Sequence, residues 1–125
     1  REAMIELLDG FPESVVAFEA VGEVTSHDYK MVLDPAIKAA VAEHGSVRVM
    51  YVLGDRFTGY SGAAMWDDAV IGTEEFRHWQ RIAVVTDTPW VAHSVNAFAW
   101  MMPARIKVFA VADREVARNW ITADD

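Results

Sequence analysis

Five stretches of the chain are apolar enough to be strands, and between them the apolar positions fall into helical spacing. Met4–Leu8 and Val15–Val21 are short apolar runs joined by Asp9-Gly10-Phe11-Pro12-Glu13-Ser14. Two such runs on either side of a turn-rich link predict an antiparallel pair. Val47–Leu53 has Arg48 as its only charged member, and Ile82–Thr86 reads IAVVT; both suit strands covered on two faces. Ile106–Val111 is the fifth strand. Arg56–Ser61, with Gly59, reads as a loop.

The intervening segments carry helix signals. Thr25-Ser26-His27-Asp28 is a capping box: the Thr25 hydroxyl accepts from the Asp28 amide, and the Asp28 carboxylate reaches back. Leu33, Ile37 and Val41 then form one stripe, and the helix runs to about His44. Pro35 cannot sit in a regular helix interior, so a break or a fresh start belongs near Asp34-Pro35. Gly45 ends the helix. Gly62–Trp79 is amphipathic, with Met65, Trp66, Ala69, Val70 and Phe76 opposite Asp67, Asp68, Glu74, Glu75 and His78. Thr88-Pro89 starts a helix over 90–102 that Pro103 stops. Asp113 is expected to cap a last helix, to about Thr122, buried through Val116, Ala117, Trp120 and Ile121. The order ββαβαβαβα predicts an α/β fold, a mixed five-stranded sheet flanked by helices, in a single domain over residues 1–125.

Several of these pieces, in this succession, resemble the SpoIIAA-like family, a branch of the STAS superfamily. They are Gly22-Glu23-Val24-Thr25 with Asp28-Tyr29, Pro35, Phe57, Trp66 with Asp68-Ala69, Arg81 to Asp87 (RIAVVTD), Val108-Phe109, and Ala117 with Trp120. The resemblance implies a mixed sheet flanked by helices and a non-enzymatic role, with an apolar ligand or a membrane surface as the target. It also places Ser61-Gly62 where the wider superfamily carries a phosphorylated serine. Here the stretch reads Phe57-Thr58-Gly59-Tyr60-Ser61-Gly62, with Gly59 standing where that motif has Asp.

Composition narrows the function classes. The 125 residues include no cysteine, which removes disulfides, zinc ribbons and thiol nucleophiles and fits a cytoplasmic setting. No apolar run is long enough to cross a bilayer. A formal charge of −8 argues against nucleic acid. The charge is uneven: Arg77, Arg81, Arg105 and Lys107 face only Asp87 between Phe76 and Lys107. Those cations favour an anionic headgroup nearby.

No catalytic signature accompanies them. His27, His44, His78 and His93 show no metal-ligand spacing, and no P-loop, GxGxxG or GxSxG occurs. The expectation is a protein that is not an enzyme, with no metal and no cofactor.

The informative segment is 90–102, which holds no Asp, Glu, Lys or Arg. Val91, Val95, Phe98, Ala99 and Met102 share one arc and should cover the sheet. Trp90, Ala97 and Met101 form a second ridge, and Trp100 falls on the side that should be wet. Surface helices ordinarily place charge opposite their core stripe, so the surplus wants a cover. The candidates are the neighbouring helix, a homodimer seam, an apolar small molecule or lipid, and peripheral contact with a membrane. Ligands of open α/β sheets sit at the carboxyl ends of the strands. The expected ligand-binding set is therefore Phe57, Tyr60, Trp66, Trp90, Phe98, Trp100 and Met101, in a cleft between helices 62–79 and 90–102. Ser61 is the candidate phosphorylation site of a regulatory, anti-sigma-factor-antagonist type of interaction domain.

Overall fold

The structure, a computed structural model, describes residues 5–60, 76–99 and 104–123. In chain order its elements are β1 (Ile5–Leu7), β2 (Val15–Ala20), β3 (Gly22–Val24), α1 (Ser26–Asp28), a π-helical turn (Tyr29–Leu33), α2 (Asp34–His44), β4 (Val47–Leu53), β5 (Phe57–Tyr60), a 3-10 turn (Phe76–His78), β6 (Trp79–Thr86), α3 (Pro89–Ala99), β7 (Arg105–Phe109), a second 3-10 turn (Val111–Asp113) and α4 (Arg114–Thr122).

Five strands make one sheet in the order β1-β2-β4-β6-β7. The opening pair is antiparallel, Ile5 opposite Ala20, and the remaining pairs are parallel. This is the expected mixed five-stranded sheet.

Side chains on a strand alternate between faces, and the alternation assigns the helices. Val16, Phe18 and Ala20 of β2, with Val47, Val49, Tyr51 and Leu53 of β4, share a core with Leu33, Ile37 and Ala40 and with Val91 and Val95 of α3. Val15, Ala17, Met50, Val52, Ala83 and Val85 point to the other face, where Ala117 and Ile121 of α4 cover them. Each valine, leucine, isoleucine, phenylalanine or methionine so buried stabilises the fold by about 1.5–3 kcal/mol relative to exposure.

The helix signals at Thr25 and Pro35 work as read. The Thr25 amide donates to Asp28 Oδ2 at 2.9 Å, and the Asp28 amide donates to Thr25 Oγ1 at 3.2 Å. Five residues of π-helix precede Pro35, which sits in the first turn of α2. A widened turn there relieves the clash that the proline ring would make with the carbonyl four residues back. Gly45 closes α2 at φ 77°, its amide donating to the Val41 carbonyl at 2.8 Å.

Other expectations are corrected. The strand expected over Val15–Val21 runs from Val15 to Ala20, and a short strand that was not expected, β3, follows it at Gly22–Val24. The stretch expected as a loop, 56–61, contains β5, which pairs in parallel with β3 as a separate two-stranded ribbon. A hydrogen bond from the Gly22 amide to the Arg56 carbonyl, 2.6 Å, ties the two chain reversals together. Phe76–His78 is a 3-10 turn rather than α-helix, and β6 starts at Trp79. The ladder continues because Trp79 pairs with Val47 across a register shift, which turns the 2% exposed Trp79 into the α2–α3 core. The fifth strand ends at Phe109, and Val111 belongs to a 3-10 turn. Asp113 precedes α4 as expected but makes no side-chain cap bond. On α4, Ala117 and Ile121 are buried, Trp120 is half-buried, and Val116 is 55% exposed. The remainder of the expected helix 62–79, residues 62–75, lies outside the described residues.

Candidate functional site

The carboxyl ends of β2, β4 and β6 lie together, and the links that leave them build the candidate site. β4 ends at Leu53, and the Phe57 amide donates back to the Gly54 carbonyl at 3.2 Å, turning the chain into β5. β6 ends at the buried Thr86, whose Oγ1 accepts from the Thr88 amide at 3.0 Å. The Thr88 carbonyl accepts from the amides of Val91 and Ala92, the position of an N-cap carbonyl, so α3 starts where Thr88-Pro89 predicts.

These two links bring Phe57 and Trp90 together, with ring centroids 6.2 Å apart and planes tilted by 40°. Phe57 packs on the core that α3 covers. Trp90, on the first turn of α3, is 46% exposed. The next two core positions on that helix, Val91 and Val95, are 2% and 0% exposed. α3 is thus anchored by its valines while Trp90 stands at the surface.

Beside this edge, Arg56 donates to Glu19 Oε1 at 3.0 Å and to Glu6 Oε1 at 3.1 Å. The hydrogen bond and charge of Glu19, then those of Glu6, push the Arg56 pKa above its usual value. A raised basic pKa adds stability below the group's ordinary value and loses it only above. Arg56 therefore stays charged, with a constant contribution, throughout the neutral range. Asp87 Oδ1 accepts from the Val111 amide at 3.0 Å and fixes the return to α4.

Of the expected ligand-binding residues, Phe57 and Trp90 are thus brought into contact. Tyr60 ends β5, paired with Val24, and Phe98 lies two turns along α3 from Trp90. Trp66, Trp100, Met101 and Ser61 lie outside the described residues.

Three of the cations expected beside the aromatic ridge, Arg81, Arg105 and Lys107, are elsewhere. Arg48, Arg81 and Arg105 are register partners across β4, β6 and β7, on the α4 side of the sheet. Lys107 shares that side, its Nζ 5.5 Å from the Trp120 ring centroid. Arg81 is 3% exposed and donates to the carbonyls of Trp120 and Ala123 at 2.9 and 3.0 Å. Arg48 donates to those of Ile121 and Ala123 and, through Nε, to Gln80 at 2.9 Å. Strand alternation sends these side chains away from α3, and the carboxyl end of α4 engages Arg48 and Arg81.

The four histidines are exposed. One of them joins a group that sequence spacing missed: ligand atoms of Glu13, Glu43 and His44 lie within 4.8 Å of one another. Those three exposed groups could hold a metal ion. Glu13 comes from the β1–β2 link, far in sequence from Glu43 and His44 at the end of α2, so no local motif announces the cluster.

The SpoIIAA-like family model matches residues 15–122. The chain belongs to the SpoIIAA-like family. No curated protein matches it. Among solved structures it is similar to an uncharacterized protein of the DUF3478 family, with a SpoIIAA-like fold, from Shewanella loihica PV-4. That match has a TM-score of 0.72 and 23% identity, covering 94% of this chain and 93% of that one. It is also similar to the anti-sigma factor antagonist SpoIIAA in its unphosphorylated form, with a TM-score of 0.59 and 14% identity, over 91% of this chain and 96% of that one. At these identities the likeness is one of fold. In this SpoIIAA-like chain the pair of half-buried Phe57 and exposed Trp90 sits at the end of the sheet where α/β folds place their ligands. Among the described residues no helix is long and apolar enough to cross a membrane.

Proposed function

We propose that the chain is a non-enzymatic regulatory module that works by binding. Its ligand is apolar or lipid-like and is taken at the carboxyl edge of the sheet, beside Phe57 and the first turn of α3. The observation that supports this reading is Trp90, a tryptophan nearly half exposed against Phe57, on a helix whose sequence offers no charge to solvate it. Covering an aromatic of this size gains about 1.5–3 kcal/mol, enough to make an apolar partner worthwhile.

Arg81, Arg105 and Lys107 lie on the α4 side of the sheet, and Arg56 beside this edge is already held by Glu19 and Glu6, so the recognition is apolar. Flotation with neutral phosphatidylcholine vesicles and with anionic phosphatidylglycerol vesicles tests it. The expected outcome is binding to both without preference for the anionic set, and loss of binding in Trp90→Ala. No flotation with either, together with no ligand retained in native mass spectrometry, overturns it. A cytoplasmic protein with peripheral membrane contact follows from this reading. A homodimer closing over the same aromatics is the competing occupant, which the mass of the protein in solution distinguishes.

The fold shared with an anti-sigma factor antagonist favours a second reading, a protein-interaction domain switched at Ser61. Ser61 directly follows β5, the strand that carries Phe57. Ser61→Asp should then change the partners captured by the purified protein, and an unchanged set removes this reading.

A further inference from the structure

We infer that a second site, on the opposite face of the sheet, binds a small zwitterion with an apolar side chain, of the size of a free amino acid. The site is a cleft of about 130 Å³ between the β1–β2 link and α4, independent of the aromatic edge. Its apolar lining is Leu8, Phe11 and Met50, with Met50 in the sheet itself at 1% exposure.

Two arginines of α4 complete the wall, and the protein uses only one of them. Arg118 donates to the Gly10 carbonyl and lies 4.5 Å from the Phe11 ring centroid. Gly10 has φ 87°, and a Cβ there would come 3.4 Å from Arg118 Nη2, so the link closes directly onto this guanidinium. Arg114 lies one turn earlier, on the same side of α4, and also lines the cleft. It is half-buried, and its guanidinium makes no hydrogen bond or ion pair with the described residues. It is also the first residue of α4, where the helix dipole disfavours a cation.

An incoming carboxylate answers both conditions by pairing with Arg114. Asp9 and Glu115 line the same cleft and are exposed at its rim. They repel a simple anion and attract an ammonium group. The four charged side chains balance, so the ligand that suits them carries both signs, with its apolar part on Leu8, Phe11 and Met50.

The test is calorimetric titration with L-leucine, 4-methylpentanoate and 3-methylbutylamine, which share the apolar part and differ in charged groups. Leucine should bind at least about tenfold more tightly than either half-molecule, the difference one desolvated ion pair makes. Arg114→Gln should weaken leucine by about the same factor without changing the melting temperature, while Trp90→Ala leaves it unchanged. No heat with leucine at millimolar concentration overturns the inference. So does equal binding of 4-methylpentanoate or the amine, or full affinity in Arg114→Gln.

Discussion

The two ends of the sheet handle their conspicuous side chains in opposite ways. At the amino end, Arg48 and Arg81 lie side by side on β4 and β6 and engage backbone carbonyls at the end of α4. Helices leave their last carbonyls without intrahelical partners, and a cation there also meets the negative end of the helix dipole. At the carboxyl end, Phe57 and Trp90 meet, yet Trp90 stays 46% exposed. Charge, which ordinarily marks a surface, is structural at one end. Aromatic bulk, which ordinarily marks a core, is at the surface at the other. The comparison separates what holds the domain together from what it offers to a partner.

Removing the buried cation should have the largest effect. Arg81→Ala deletes charged hydrogen bonds to the Trp120 and Ala123 carbonyls, of which that of Ala123 keeps Arg48 as a donor, at a cost of about 3 kcal/mol. Urea unfolding should show a lower midpoint at an unchanged slope. A loss below about 1 kcal/mol would mean that α4 is held by Ala117 and Ile121 alone, and the contrast between the two ends would fail. Arg48→Ala comes next, at about 2 kcal/mol, because Arg48 is only half-buried and water can reach the group it leaves. If the two substitutions together cost clearly less than their sum, the two arginines act as one clasp, since neighbours that share a partner do not add.

The sequence carried the sheet and its helix boundaries well, because their signals are local. Thr25 with Asp28, Pro35 and Gly45 each act on residues a few positions away. Gly45→Ala measures one such signal: nothing lies within 4 Å of the added Cβ, and φ is 77°, so the cost of about 1 kcal/mol is purely conformational. β5 escaped because Phe57-Thr58-Gly59-Tyr60 has the composition of a loop, and its partner β3 lies more than thirty residues earlier. The amino end of β6 escaped because Phe76 fits a helical stripe, while pairing with Val47 decides the backbone from Trp79 onward.

The same distinction governs the site. Phe57 and Trp90 could be paired in advance because they follow successive parallel strands at the end of the sheet where ligands collect. Arg81 could not be recognised as structural, since the carbonyls it serves are about forty positions away. Its place in the sequence puts its charge near the aromatic ridge, but sequence proximity says nothing about which face of a strand a side chain takes. The Glu13, Glu43 and His44 group and the Arg114 cleft are invisible for the same reason: each draws on the β1–β2 link and a helix far along the chain.

Trp90→Ala should have the smallest effect on folding and sharpens the comparison most. Val91 and Val95 anchor α3, and Trp90 is nearly half exposed, so the loss of stability should stay below about 1 kcal/mol. If the aromatic edge serves a partner, the same substitution abolishes vesicle flotation while the urea midpoint barely moves. A structural tryptophan would give the reverse, a lower midpoint with binding intact in the fraction that remains folded. Measuring both on one preparation separates the two roles. A stability loss comparable to that of Arg81→Ala would show that this end of the sheet, too, is built for holding the fold.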